Sequence, residues 1–456
     1  MDVKRNVEIA GARAIFNFIE KDPEHNIQKV IDFSDTVLPP KVLDRQRAAM
    51  RKSLGNPDSN WYKLTLSIWK DIDPGVRKAA FENLVISSNI IGYPAEQNTR
   101  KKYDCNVPWA LLMDPTSACN LHCVGCWAAE YGNKLNLSYD EMDSIVKQAN
   151  ELGTYVFLFT GGEPLVRKAD IIKLCEAHPD SLFSAFTNGT LIDEAFADEM
   201  LRVKNFIPAI SVEGFEEATD SRRGKGTFKK VEKAMSILKA KKLIFGLSCC
   251  YTRNNAEVIG SEAYFDQMVA WGAKFCWLFT YMPIGKAAAP ELMTTAEQRE
   301  FMYHQVRKFR DTKPIFTMDF WNDGEYVGGC IAGGKSYLHI NANGDVEPCA
   351  FIHYSDANIR TSTLLDALRG PLFTAYHKNQ PFNPNMLRPC PVLDNPGRLT
   401  KIVEETNAKN TDYQAQESAR EYSEKCVDTA KKWAPVANKL WDETKARKAA
   451  EAEKAR

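Results

Sequence analysis

The chain has 456 residues, with 59 Lys and Arg against 59 Asp and Glu, 44% hydrophobic residues and 12 cysteines. That length predicts two to three domains with room for a large core, and a formal charge of zero argues against broad electrostatic capture of nucleic acid, which needs a surplus of basic side chains on one face. The opening MDVKRNVEIAGARAIF holds no contiguous apolar run and nowhere do roughly 18 apolar residues follow one another, so neither a secretory leader nor a membrane span is expected and a cytoplasmic setting is.

Residues 1 to 106 read as a helical module. Ile9, Ala12, Phe16 and Ile19 recur at helical spacing between charged residues, and FENLVISSNIIG sets Phe81, Leu84, Val85 and Ile91 near one side before Gly92 and Pro94. From 107 to 312 short apolar runs alternate with amphipathic helices: WALLMD, YVFLFT, LFSAFT, FIPAISV, LIFGLSCCY and FCWLFTY are the strands. Six such repeats are too few for a closed eightfold barrel. They predict an α/β fold built on a partial (β/α)6 barrel, with its chemistry at the carboxyl ends of the strands. Residues 313 to 395 are richer in Gly, Pro and Asn, with one hairpin in which YLHI and DVEP flank Asn343-Gly344. Residues 396 to 456 return to helix, and the Ala-rich end reads as a solvated or fraying helix.

In a reducing compartment the cysteines are expected to serve metal ligation, catalysis or packing rather than six disulfides. Cys119, Cys123 and Cys126 stand within one short loop directly after the first strand, so their thiolates are able to converge on one centre. A zinc site is the competing reading, but structural zinc wants four ligands, commonly from two separated pairs; His122 is the local candidate for a fourth. Three thiolates with a vacancy suit a [4Fe–4S] cluster whose fourth iron takes an outside ligand.

The spacing C-x3-C-x2-C resembles the radical S-adenosylmethionine (radical SAM) superfamily, in which the open iron is chelated by SAM. Gly125 stands where the family commonly has an aromatic residue, and the aromatic is displaced to Trp127. Further motifs follow in the order the resemblance requires. Gly161-Gly162-Glu163-Pro164 after the second strand matches the motif that holds the SAM amino group. Asn188 follows the third strand. Ser211 and Glu213 after the fourth fall where relatives contact the ribose and methionyl part, though Asp is the commoner acid. Arg222 or Arg223 falls near the SAM carboxylate, and Ile284, in Met282-Pro283-Ile284-Gly285, where backbone meets the adenine. The resemblance covers about residues 107 to 312. It implies reductive cleavage of SAM to methionine and a 5′-deoxyadenosyl radical that abstracts hydrogen, with the barrel orienting substrate. It also implies a one-electron donor such as flavodoxin or ferredoxin.

Further on, Cys330, Cys349 in the G-x4-C run after Gly344, and Cys390 look like the auxiliary-cluster region called SPASM or, when shortened, Twitch. The full pattern's closely spaced cysteines are not present, so one auxiliary [4Fe–4S] cluster is expected. Its fourth ligand is another cysteine, a histidine such as His353, or the substrate. Unliganded thiols and a zinc are the competing readings. Of the other six cysteines, Cys175, Cys276 and Cys426 are expected to pack as small hydrophobes, and Cys105 has no assigned role. Cys249 and Cys250 point to opposite faces of one strand, so one faces the barrel interior; packing without a functional role is the first reading for it, and a fourth auxiliary ligand or a hydrogen-atom donor the alternative. A non-catalytic iron–sulfur electron carrier or redox sensor is the second function class, and a SAM pocket weighs against it. The substrate is expected to be bulky, a peptide, a lipid or another, and the apolar stripes of the first hundred residues leave peripheral membrane contact open.

Overall fold

The computed structural model describes residues 3–37, 44–286, 288–414 and 416–454. Seven parallel strands form most of one sheet: β1 Ala110–Met113, β2 Val156–Phe159, β3 Leu182–Thr187, β4 Phe206–Ser211, β5 Gly246–Tyr251, β6 Phe275–Thr280 and β7 Phe316–Asp319. Their order is sequential, as right-handed strand–helix–strand units require. The six expected strands are all present. The sheet then continues past the predicted end of the barrel: β7 pairs with β6, and β8 (Tyr337–Ile340) pairs in parallel with β1, setting Leu112 against His339. A ninth strand, β9 Val346–Glu347, turns back on β8 as the expected Asn-Gly hairpin.

Each barrel strand presents one row of side chains to the helices and the other to the lumen. In β1, Leu111 and Met113 face the main core, whereas Ala110 packs inside with Val156 and Leu158. The helices start where their sequences allow. Tyr139–Leu152 opens on a capping box between Ser138 and Glu141 and ends on Gly153, and Ala296–Thr312 opens on another between Thr295 and Gln298.

The first hundred residues are helical, as expected, but FENLVISSNIIG is wound as a π-helix over Glu82–Gly92. This departs from a simple helical stripe: Ile86 is buried, while Val85 is exposed. Leu84 from this stretch packs against Ala110, Val156 and Leu158, closing the lumen at the amino ends of the strands. Ile9, Ala12, Phe16 and Ile19 form the partly covered side of Val3–Lys21, and Phe16 stacks on Phe81 at 4.4 Å. Val3, Val7, Ile15 and Phe18 on that helix are exposed. Among the described residues no helix is long and apolar enough to cross a membrane.

The chain ends in one long helix, Ala419–Lys454. Trp433 on it donates its indole N–H to the Leu387 carbonyl at 2.9 Å and lies under the Arg299 guanidinium at 4.3 Å.

Candidate functional site

The loop after β1 is bound to the loop after β2 by backbone. The Gly162 N–H donates to the Thr116 carbonyl at 3.0 Å and the Glu163 N–H to the Ala118 carbonyl at 2.8 Å, so the residue before Cys119 is fixed by the glycine motif. A Cβ at Gly162 would lie 2.2 Å from the Ala118 oxygen. Glycine is therefore required there by close contact with the cysteine loop itself.

Glu163 is buried. Its Oε1 accepts from the Leu165 N–H at 3.0 Å and the Thr187 hydroxyl at 2.6 Å, and its Oε2 from the Asn188 N–H at 2.7 Å. It ties the ends of β2 and β3 together, because donors from both loops reach it. Burial pushes its carboxyl up, and those donors oppose the shift. Pro164 opens the short helical turn that follows. The Asn188 side chain donates to Asn120 Oδ1 at 2.8 Å, adding a second tie to the cysteine loop.

Glu213, past the end of β4, has no exposed side-chain surface, and its Oε1 accepts from Arg222 Nη1 at 2.7 Å and Arg223 Nε at 2.9 Å. Its Oε2 is buried without a partner. Both candidate arginines thus meet one carboxylate, a convergence that spacing alone left undecided. Arg222 also clamps the cysteine loop: the Val124 N–H donates to the Arg222 carbonyl at 3.0 Å, and Arg222 Nε to the Val124 carbonyl at 3.3 Å. Ser211 ends β4 beside Ser248. Ile284 is buried in the loop after β6.

The three thiols act on one another across this loop. Burial pushes Cys119 up to about 11, with Glu163, Cys126 and Cys123 adding to it, while the Leu121 N–H bonded to its sulfur at 3.4 Å opposes. Burial also raises Cys123, and Arg223 and Arg222 pull it back. His122 is exposed and turned onto the Leu121 carbonyl.

Gly125 has φ of +64°, and a Cβ there would lie 2.6 Å from the Tyr281 hydroxyl. The ring that borders this position comes from Tyr281, after β6, a contact invisible to a local motif. Trp127 points elsewhere, meeting Tyr131, His339, Phe351 and His353 at 5.8–6.3 Å between ring centroids.

Cys330, Cys349 and Cys390 line one partly open cavity of about 40 Å³ with Phe320, Trp321, Tyr337, Phe351 and Tyr376. That exceeds the roughly 10–15 Å³ a single water needs. It lies over the gap between β7 and β8, where Phe320 meets Tyr337 at 5.8 Å. Donors already face the sulfurs: the Tyr337 hydroxyl is 2.7 Å from Cys349, the Phe351 N–H donates to Cys349 at 3.4 Å, and the Val392 and Leu393 N–H groups to Cys390 at 3.5 and 3.4 Å. Burial pushes Cys330 up to about 11 and Cys390 to about 12. The Tyr376 hydroxyl is buried and unpartnered, and these three cysteines are the ionisable groups acting on it. Neither Cys249 nor Cys250 reaches the cavity. Cys249 turns outward to Tyr264 at 3.4 Å and Cys276 at 3.8 Å, leaving Cys250 on the inner face near Arg222.

Between the two cysteine sites lies a buried charged group that sequence reading missed. His339 Nε2 is 2.9 Å from Asp114 Oδ1 and its Nδ1 2.7 Å from Glu347 Oε2, which also accepts from the Tyr131 hydroxyl at 2.7 Å. Both ring nitrogens face carboxylate oxygens, so both donate and the ring is an imidazolium. Burial opposes that charge, but Asp114 and Glu347 lift its pKa to about 10. The signal lay in strand pairing, since β8 beside β1 brings residues 114 and 339 together.

Among the described residues no group of three or more His, Cys, Asp or Glu closes around a single metal ion. A four-iron cluster asks for something different, one ligand at each of several separated corners. Three thiols on one braced loop fit the first cluster. Three thiols around one cavity, with amide donors on the sulfurs and an orphaned Tyr376 hydroxyl, fit the second.

Two family models match the chain: the radical SAM superfamily over residues 113–254, and SPASM, an iron–sulfur cluster-binding domain, over residues 330–391. The AdoMet-dependent heme synthase of Nitratidesulfovibrio vulgaris is 24% identical over 283 residues, covering 55% of this chain and 76% of that protein. A cysteine-type anaerobic sulfatase-maturating enzyme of Clostridium perfringens is 34% identical over 171 residues; the match covers 33% of this chain and 46% of that enzyme. Among solved structures, Streptococcus suis SuiB bound to its precursor peptide SuiA aligns with a TM-score of 0.55 at 18% identity, over 72% of this chain and 80% of SuiB, a likeness of fold.

Proposed function

We propose that this chain, an enzyme carrying a radical SAM domain followed by a SPASM domain, holds a [4Fe–4S] cluster on Cys119, Cys123 and Cys126 and SAM beside it. Reductive cleavage of SAM supplies a 5′-deoxyadenosyl radical for hydrogen abstraction from a bulky substrate, and the other groups bind, orient and shield. Gly161, Gly162, Glu163, Pro164, Asn188, Ser211, Glu213, Arg222 and Ile284 surround the SAM position in this reading. The observation that carries it is the bracing of the cysteine loop from two sides, by the Glu163 N–H on Ala118 and by Arg222 on Val124. An electron carrier needs no such convergence of strand ends on its cluster loop.

Cys330, Cys349 and Cys390 hold an auxiliary [4Fe–4S] cluster in the cavity over the barrel mouth, and the electron donor is a flavodoxin or ferredoxin. The relatives' names include a heme synthase and a sulfatase-maturating enzyme, and SuiB is bound to a precursor peptide, which supports a bulky substrate here. The test uses extract from fully deuterated cells, separated into peptide, lipid and small-molecule fractions, with the reduced, reconstituted enzyme and unlabelled SAM. Deuterium in 5′-deoxyadenosine from the peptide or lipid fraction supports the reading. Unlabelled product with every fraction contradicts it.

A further inference from the structure

We propose that Cys426, on the C-terminal helix, is the fourth protein ligand of the auxiliary cluster, so that this helix closes the site. The inference rests on the reading that the cavity of Cys330, Cys349 and Cys390 holds a [4Fe–4S] cluster, which in its closed form takes four ligands. The SPASM match ends at residue 391, so Cys426 lies outside the family pattern.

Three contacts fix the helix around this residue. One turn before Cys426, the Tyr422 hydroxyl donates to the Phe351 carbonyl at 3.0 Å, and Phe351 lines the cavity. Beside it, Lys425 Nζ donates to the Gly285 carbonyl at 2.8 Å. Two turns after it, Trp433 is bonded to Leu387, just ahead of Cys390. Tyr422, Cys426 and Trp433 therefore share one face of the helix, and they are 3%, 0% and 1% exposed; Cys426 stands behind the residues that line the cavity, in one core cluster with Cys349 and Cys390. Cys390 is foremost among the ionisable groups around Cys426.

The other candidates are engaged elsewhere. His353, which the sequence suggested, has Nδ1 on Asp412 Oδ1 at 2.5 Å and Nε2 on the Ala350 carbonyl at 3.2 Å, and it stacks on Tyr131 at 4.4 Å. Asp394 is held by Arg299 at 2.5 Å and accepts the Cys390 N–H at 2.9 Å. The Tyr376 hydroxyl is buried and unpartnered, on a residue that lines the cavity. Cys426 thus does more than pack as a small hydrophobe, the role its sequence context suggested.

The test uses full-length protein in which Cys119, Cys123 and Cys126 are all replaced by Ala, so that any reconstituted cluster is auxiliary. This parent is expected to hold about four irons per chain. Adding Cys426→Ala is expected to lower that to about three, with the oxidised protein giving the electron paramagnetic resonance signal of a [3Fe–4S] cluster. If four irons persist, 2-mercaptoethanol is expected to shift the reduced spectrum of the variant and leave the parent's unchanged. Cys426→Ser, which keeps a ligand atom and nearly the same volume, is expected to retain the cluster with an altered spectrum, and circular dichroism checks that both variants fold. Iron content and spectra identical to the parent in both folded variants would overturn the assignment. A parent that binds no iron would overturn the auxiliary-cluster reading itself, an outcome distinct from the failure of Cys426 alone.

Discussion

Trp127 meets Phe351 edge to face, with ring centroids 6.0 Å apart. The first residue follows Cys126, and the second donates its N–H to the Cys349 sulfur at 3.4 Å, so one aromatic contact joins the two cysteine sites. Trp127→Ala removes this contact and those with His339 and His353. It is expected to cost about 3 kcal/mol, as truncation of a large packed side chain does, and to lower auxiliary iron content. Anaerobic thermal unfolding and iron analysis check both; an unchanged midpoint with full iron would show that the two sites are built independently.

Gly162→Ala forces a methyl group against the Ala118 carbonyl, 2.2 Å away. Overpacking of this kind costs about 1–3 kcal/mol, and here the strain falls on the loop that carries Cys119. Iron incorporation is expected to drop along with stability. Gly11→Ala is the contrasting case: nothing lies within 4 Å of a Cβ there, and Ala in a helix is expected to stabilise by about 0.5–1 kcal/mol with iron unchanged.

Glu213→Gln leaves Arg222 and Arg223 facing a neutral group. Breaking a buried ion pair costs roughly 3 kcal/mol, and the two guanidinium groups lose the anchor that positions them beside Cys123. The KM for SAM in the cleavage assay is expected to rise on the order of tenfold, the worth of one charge-assisted hydrogen bond. An unchanged KM in folded Glu213→Gln would remove Glu213 from the binding site.

The His339 imidazolium sets a pH dependence. Its pKa is raised from 6.5 to about 10 in the folded chain, so its contribution is fully present below about pH 6.5 and is lost as pH rises through about 10. Between pH 7 and 10 the native protein is expected to lose a few kcal/mol from this group. In His339→Gln the slope of unfolding free energy against pH is expected to be shallower by nearly one proton. Equal slopes would mean that His339 is neutral.

The strands of the barrel were legible because each is a short apolar run set between capped helices, and the cysteine loop because C-x3-C-x2-C is compact in sequence. Long-range pairing was not. Nothing local to YLHI says that it runs parallel to Ala110–Met113, which is what brings His339 to Asp114 and the Cys349 hairpin to the barrel mouth. The partners of Glu163 were hidden for a similar reason, since its donors come from Leu165 on its own loop, from Thr187 at the end of β3 and from Asn188 just past it. Tyr281 beside Gly125 shows the same limit, because the ring that borders this glycine belongs to a residue after β6 and not to the motif. The π-winding of Glu82–Gly92 left no trace in its apolar spacing, which fits an α-helix equally well.

The most direct measurement is the fate of SAM. The reconstituted protein, reduced under anaerobic conditions and given SAM, is predicted to form 5′-deoxyadenosine and methionine in equal amounts, and Cys126→Ala, with its auxiliary iron intact, to form neither. A fully loaded, reduced protein that leaves SAM uncleaved, or a Cys126→Ala variant that cleaves it as well as the native chain, would contradict the account.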